Sequence, residues 1–362
     1  MERVFNFSAG PAAIDPSVLQ KAADEMVCYG DKGMSVLEMS HRTPMFMDIY
    51  NETLTLFRDV MGVPEGYEVL FLQGGATMEF AAVPLNLMTG SRTADYLDTG
   101  NFAHLAAEEA KKYGTVNIVA SSRADNYTYI PDLHTVAFSP DADYAYITTN
   151  NTIYGTEILH DMEVGVPLVA DMSSDIFSRV IDVSKYAIIY GGAQKNLAPA
   201  GVTFAIVKDS ILGKVERTIP TMLKYSTHIS KESMFNTPPV VPIFAALQTL
   251  KWIKEMGGVA EMEKMNIRKS NLLYSEIDRN SLFQATVPLP EDRSRMNVCF
   301  VMTEGNEGFE KEFNDFATER GMIGLKGHRS AGGFRASLYN AMPYESVEAL
   351  VAVMKEFEAS KK

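Results

Sequence analysis

Lys195 lies in the run Tyr190-Gly191-Gly192-Ala193-Gln194-Lys195-Asn196-Leu197, and Asp171 in the run Val169-Ala170-Asp171-Met172-Ser173-Ser174-Asp175. In both, an apolar stretch ends next to a residue able to take part in chemistry. A lysine amine forms a Schiff base with an aldehyde. An acid pairs with a pyridine nitrogen and keeps it protonated, so that the ring accepts electrons. Together the two residues suit pyridoxal phosphate. Each alone has a plainer reading: lysines after strands are commonly surface residues, and Asp171 reads equally as a loop acid. The paired acid, the Gly-Gly-Ala before the lysine and the apolar strand behind it tip the balance. A lysine at a strand end is partly desolvated, which lowers its pKa and helps keep the amine nucleophilic.

Other segments supply binding chemistry. Gln73-Gly74-Gly75-Ala76-Thr77 follows an apolar run and precedes a helical pattern. Small residues there let the backbone approach an anion, and a helix start favours phosphate. The same pattern is also that of a tight turn. His41-Arg42 and His328-Arg329, with Arg335 nearby, form two basic clusters in a chain of net charge −13. Singly they read as solvated groups; together they suit a substrate carrying both carboxylate and phosphate, since arginine binds either in a fork. Asn236-Thr237-Pro238-Pro239 is a rigid turn before a helix. The chain has no GxGxxG, no GxxxxGK[ST] and no HExxH spacing, so nicotinamide, P-loop and metal readings lack support.

The elements that position these residues follow from periodicity. Apolar strands are expected at 69–72, 94–97, 116–120, 144–148, 167–170, 186–190 and 202–207. Helices are expected from Pro16 to a stop at Gly30, from Pro44 to a Gly62 cap, and over 78–87 and 102–113. Short apolar strands alternating with helices imply a mainly parallel sheet covered on both faces. After about Val240 the pattern changes to two helices meeting at Gly257-Gly258, then strand, helix, strand and helix. The expected organisation is an N-terminal segment over 1–15, outside the main sheet, a large α/β domain over 16–254, and a smaller α+β domain over 255–362. With 362 residues, 46% apolar and 22% charged, the chain is long enough for two cores. The acidic balance argues against nucleic-acid binding, and no apolar run of about 18 residues suggests a membrane span. No signal peptide is evident, so a cytoplasmic enzyme is expected. Cys28 and Cys299, far apart and without CxxC, read as two reduced thiols.

The chain resembles the phosphoserine aminotransferase family, class-V pyridoxal phosphate enzymes of fold type I. The matching segments run in order from end to end. They are 6–12, 40–42, 73–77, 151–157 (Asn-Thr-Ile-Tyr-Gly-Thr-Glu), 170–175, 192–196, 236–239, 327–330 and 333–337. The resemblance implies reversible transamination in serine biosynthesis, between O-phospho-L-serine with 2-oxoglutarate and 3-phosphohydroxypyruvate with L-glutamate. It leaves open 4-phosphohydroxythreonine as a further substrate, in pyridoxal phosphate biosynthesis. It implies that Lys195 holds the cofactor and shuttles a proton, and that Asp171 pairs with the ring nitrogen. Thr152 and Ser173 would lie by the ring, with Phe102 stacked where most relatives carry tryptophan. Gly75, Ala76, Thr77 and Gln194 would hold the cofactor phosphate, joined by Asn236 and Thr237 of a neighbouring subunit. Arg335 would take the α-carboxylate, and His41, Arg42, His328 and Arg329 the distal group, in a homodimer with shared active sites. Two rivals are a sister enzyme on the same fold, such as an alanine–glyoxylate-type aminotransferase or a cysteine desulfurase, and a non-catalytic cofactor-binding protein. Neither gives a reason for both basic clusters.

Overall fold

The computed structural model describes residues 3–362. Seven strands form the central sheet, in the order Tyr67–Leu72, Thr203–Lys208, Ile188–Gly192, Leu168–Asp171, Tyr144–Thr148, Thr93–Asp98, Thr115–Ser121. The last five pair in parallel, and only Thr203–Lys208 runs antiparallel to its neighbours. Because side chains alternate along a strand, each strand feeds two cores. Ala145 and Ile147 face one, Tyr144 and Tyr146 the other. Both faces are covered along the inner strands, which is why they read as largely apolar runs, while the edge strand Thr115–Ser121 buries none of its residues fully.

Helix Pro44–Met61 belongs to the first core, burying Phe46, Ile49, Tyr50 and Phe57. The Thr43 hydroxyl accepts the Phe46 amide, Pro44 occupies the first turn, and Gly62 closes the helix at φ 63°, a left-handed conformation that costs glycine little. Helices Ala76–Leu87 and Asn101–Ala110 cover the other face through Phe80, Val83, Ala103 and Ala106. The first helix is shorter than its pattern suggests, spanning Pro16–Asp24. Beyond it the Glu25 carboxylate accepts the Gly30 amide and the Ser35 hydroxyl donates to the Met26 carbonyl, so side chains tie the segment into turns.

A second sheet, Phe283–Ala285, Asn297–Met302 and Phe334–Ser337, is antiparallel. It packs with helices Val259–Arg279, Glu310–Glu319 and Tyr344–Ser360 around edge-to-face phenylalanines such as Phe313, Phe334 and Phe357. Among the described residues before Pro16, none contributes a strand to the main sheet. Phe5–Asn6 pairs in parallel with Met322–Ile323, and Phe7 is fully buried in the second core. Buried amides join this part to the central sheet. Asn150 donates to Asn297 Oδ1 at 2.8 Å, and Asn297 donates to the Ser337 hydroxyl at 3.0 Å.

Gly191 shows why the lysine run contains glycines. A β-carbon there would lie 2.8 Å from the Ser173 Cα and 2.6 Å from the Phe204 ring. The strand must pass this close for the Asp171–Ser173 turn to sit beside it. Gly191→Ala is therefore expected to destabilise the fold by about 1–3 kcal/mol, read as a lower denaturant midpoint. An unchanged midpoint would contradict this packing.

Candidate active site

The parallel strands end on one side of the sheet, where ligands bind in open α/β sheets. A cavity of about 360 Å³ opens there. It is lined by Asp171 and Ser173 from one strand end, Gln194 and Lys195 from the next, and Phe102, Thr152 and Arg335 opposite.

Lys195 Nζ donates to the Thr152 hydroxyl at 2.7 Å and sits 5.7 Å from the centre of the Phe102 ring. The residue as a whole is half-buried, but its amine lies at the cavity floor. Burial lowers its pKa to about 8; Asp171 opposes that shift and Arg335 adds to it. Asp171 is 5% exposed. Burial raises its pKa, against the Ser173 hydrogen bonds and the charge of Lys195. The Ser173 amide and hydroxyl donate to the same oxygen, Oδ1, at 2.9 and 2.6 Å. Oδ2 accepts no hydrogen bond among the described residues and is left for a ligand donor. The Ser173 hydroxyl also accepts the Gly192 amide at 3.1 Å, which ties the acid's turn to the lysine's strand.

One end of the cavity is built from backbone. Gly74 and Gly75 have φ of 103° and 72°, and helix Ala76–Leu87 starts without any side-chain cap. Its first amides point to the cavity mouth beside Thr77 and Gln194, the arrangement that favours an anion. Nothing lies within 4 Å of where a Gly75 β-carbon would be, so the approach is open. Arg335 donates through one terminal nitrogen to the Thr152 carbonyl at 3.2 Å, while its buried Nε has no partner among the described residues. A buried guanidinium N–H without a partner suits an incoming carboxylate. His328 also lines the cavity, with its pKa lowered by burial and by Arg335 and Arg329.

The structure thus brings together Gly75, Ala76, Thr77, Phe102, Thr152, Asp171, Ser173, Gln194, Lys195, His328 and Arg335 of the residues singled out in the sequence. His41, Arg42, Asn236, Thr237 and Arg329 do not line the cavity within one chain. Arg42, Asn236, Thr237 and Arg329 are exposed; the Asn236 side-chain amide donates to the Gln73 side chain at 3.5 Å. The sequence reading assigned no site role to Ala9, Gly10 or Asn150, which line the cavity. The run 6–12 carried a signal for the first two, because a β-carbon on Gly10 would lie 3.5 Å from the Lys195 stem. Asn150 had no local signal: its role follows from its pairing with Asn297, far away in sequence.

Residues 4–350 match the family described as Aminotransferase class-V. The phosphoserine aminotransferase of Phocaeicola vulgatus is 57% identical over 353 residues, 98% of each chain. The solved phosphoserine aminotransferase of Bacillus circulans subsp. alkalophilus is 42% identical with a TM-score of 0.96, covering 100% of both chains. A pyridoxal phosphate-bound phosphoserine aminotransferase from Trichomonas vaginalis is 39% identical with a TM-score of 0.94, covering 98% of this chain and 100% of that one. Sequence, fold and cavity agree from end to end: the chain belongs to the class-V aminotransferases, in their phosphoserine aminotransferase branch.

Proposed function

We propose that this chain carries out reversible, pyridoxal phosphate-dependent transamination between O-phospho-L-serine with 2-oxoglutarate and 3-phosphohydroxypyruvate with L-glutamate. The observation that carries the reading is the Lys195 amine, with its lowered pKa, in one cavity with buried Asp171 and an arginine whose Nε is unpartnered. The residues fit the cofactor. An uncapped helix start faces its phosphate, Oδ2 of Asp171 its ring nitrogen, Phe102 its ring face and Lys195 its aldehyde. When bound, pyridoxal phosphate supplies an aldehyde that bonds to amines and a protonated ring that draws electrons from the substrate α-carbon.

The remaining work falls to the chain. Asp171 keeps the ring nitrogen protonated. Ser173 holds the acid in place through two hydrogen bonds to Oδ1. With the cofactor bound, the Lys195 amine would take the proton from the substrate α-carbon and return it at C4′. Thr152 accepts a hydrogen bond from that amine and so orients it. Arg335 binds the α-carboxylate common to both amino acids. The distal group alternates between a phosphate and a carboxylate; Arg42 and Arg329, with the imidazoles of His41 and His328 as hydrogen-bonding partners, accept both.

The working unit in this reading is a homodimer. His41, Arg42, Asn236 and Thr237 stay outside the cavity of a single chain, and Thr77 lies exposed at its mouth. Large apolar residues sit exposed around that same mouth: Met78 (42%) beside Thr77, and Phe235 (48%) beside Asn236. A second copy covering them would carry its own His41 and Arg42, or Asn236 and Thr237, into this site. No described helix is long and apolar enough to cross a membrane. Both cysteines are free thiols, which fits the cytoplasm as the place of action.

Two predictions follow from the lysine and the shared site. The free amine of Lys195 dominates only above its pKa of about 8. Capture of pyridoxal phosphate by cofactor-free protein should therefore accelerate with pH to a half-maximum near 8 and level off above it, as followed by stopped-flow absorbance. Acceleration continuing to the ordinary lysine range would show that the amine is not desolvated. Lys195→Ala should abolish turnover, and Arg42→Ala should raise the KM for phosphoserine about tenfold, the loss of one charge-assisted contact. Mixing the two inactive or weakened variants under subunit exchange should restore activity above the sum of the separate proteins. No gain on mixing would place each site within one chain.

A further inference from the structure

Helix Val259–Arg279 contributes a lysine that no part of the mechanism uses. Lys269 is 1% exposed and takes part in no ion pair among the described residues. Its ammonium donates instead to three successive backbone carbonyls, Leu338 at 3.0 Å, Tyr339 at 2.8 Å and Asn340 at 3.4 Å. Burial lowers its pKa to about 7. The three carbonyl dipoles work against that shift, because three acceptors are satisfied only by three protons. Asn266, one turn earlier on the same helix face, donates to the Asn340 side chain at 2.8 Å and to the Ser178 carbonyl at 3.0 Å. The helix thus holds the 338–340 turn from one side at four points.

From its other side the turn reaches both segments that flank Lys195. The Asn340 amide donates to Asn196 Oδ1 at 3.0 Å, and Asn196 in turn donates to the Ser174 carbonyl at 3.2 Å. The Tyr339 hydroxyl donates to the Ala9 carbonyl at 2.8 Å, and neighbouring Gly10 lies against the Lys195 stem. One turn therefore fixes the residue after the lysine and the backbone that walls its side chain. The strand Phe334–Ser337, which carries Arg335, runs directly into that turn but is held separately by its pairing with Asn297–Met302.

We infer that Lys269 is a positioning residue for proton transfer: its ammonium sets the 338–340 turn, which through Asn196 and Ala9 holds the Lys195 amine where it can reach the substrate α-carbon. This rests on the reading of Lys195 as the base. A displaced base slows the chemical step while substrate binding, which depends on Arg335 and the distal cations, stays nearly intact.

The test uses the cofactor-loaded enzyme and three variants. Lys269→Met keeps the unbranched stem, one atom shorter, and removes the charged donor; Asn196→Leu removes the acceptor of the Asn340 amide. Each is expected to lower kcat by about tenfold or more with the KM for phosphoserine changed less than about threefold. The double variant should be no slower than the worse single one, because both act along one path. Trp252, the only tryptophan, lines a small cavity together with Lys195, Asn196 and Ala341. Its emission in cofactor-free protein should shift in both single variants. A lower melting temperature with wild-type kcat and wild-type Trp252 emission would reduce Lys269 to a structural role and overturn the inference, as would kcat losses that multiply in the double variant. If Lys269→Met does not fold, Tyr339→Phe with Asn196→Leu carries the test, and unchanged kcat in both overturns it. Wild-type protein lacking transaminase activity would instead sink the reading of Lys195, while the Trp252 shift would still report whether Lys269 sets the turn.

Discussion

Two ionisable groups of opposite sign share one cavity at the ends of neighbouring strands, and the rest of the structure exists to keep them there. Asp171 and Lys195 both lose water, which costs several kcal/mol per ion. The cost is reduced by groups that each element is shaped to deliver. Ser173 gives two hydrogen bonds to one oxygen of the acid, and the Thr152 hydroxyl accepts from the amine. What remains uncompensated is useful: a carboxylate oxygen left free to accept from a ligand, and an amine whose pKa of about 8 leaves far more of it unprotonated near neutral pH than an ordinary lysine would be.

The parallel sheet makes this pairing possible. Strands Leu168–Asp171 and Ile188–Gly192 run side by side in the same direction, with Asp171 opposite Tyr190 in register. Both chains leave the sheet at the same edge, and the close passage of Gly191 past Ser173 brings their turns into hydrogen-bonding distance. The second, antiparallel sheet then delivers Arg335 across the cavity. Buried amides help fix its placement: Asn150 donates to Asn297, which within the second sheet also donates to Ser337. Buried amides that are fully bonded specify one docking geometry where an apolar seam would allow several.

Much of this was legible in the residues. The strand ends, the lysine and the acid stood out because apolar runs stop where the chemistry begins. Helix Pro44–Met61 announced both its ends through Thr43-Pro44 and Gly62. The first helix was read too long because Ala22 to Cys28 continue an acceptable helical pattern, and nothing local reveals that the Glu25 carboxylate folds back on Gly30. The pairing of Phe5–Asn6 with Met322–Ile323 was invisible for the same reason as Asn150 and Lys269: each depends on partners far away in sequence. The basic clusters could be named but not placed. His328 and Arg335 enter the cavity of a single chain, whereas His41 and Arg42 do not. In the proposed homodimer, placing His41 and Arg42 would depend on contacts that no periodicity within one chain encodes.

The central claim is that this cavity accepts a phosphorylated amino acid and passes its amine to the cofactor. The most direct measurement is the visible spectrum of the purified protein loaded with pyridoxal phosphate, titrated with O-phosphoserine and, separately, with aspartate or alanine. The account predicts that the band of the lysine-bound cofactor converts to the pyridoxamine form with phosphoserine and stays unchanged with the other two. Conversion by alanine or aspartate with no response to phosphoserine would contradict it, leaving the fold and cofactor in place but assigning the site to a different amino acid.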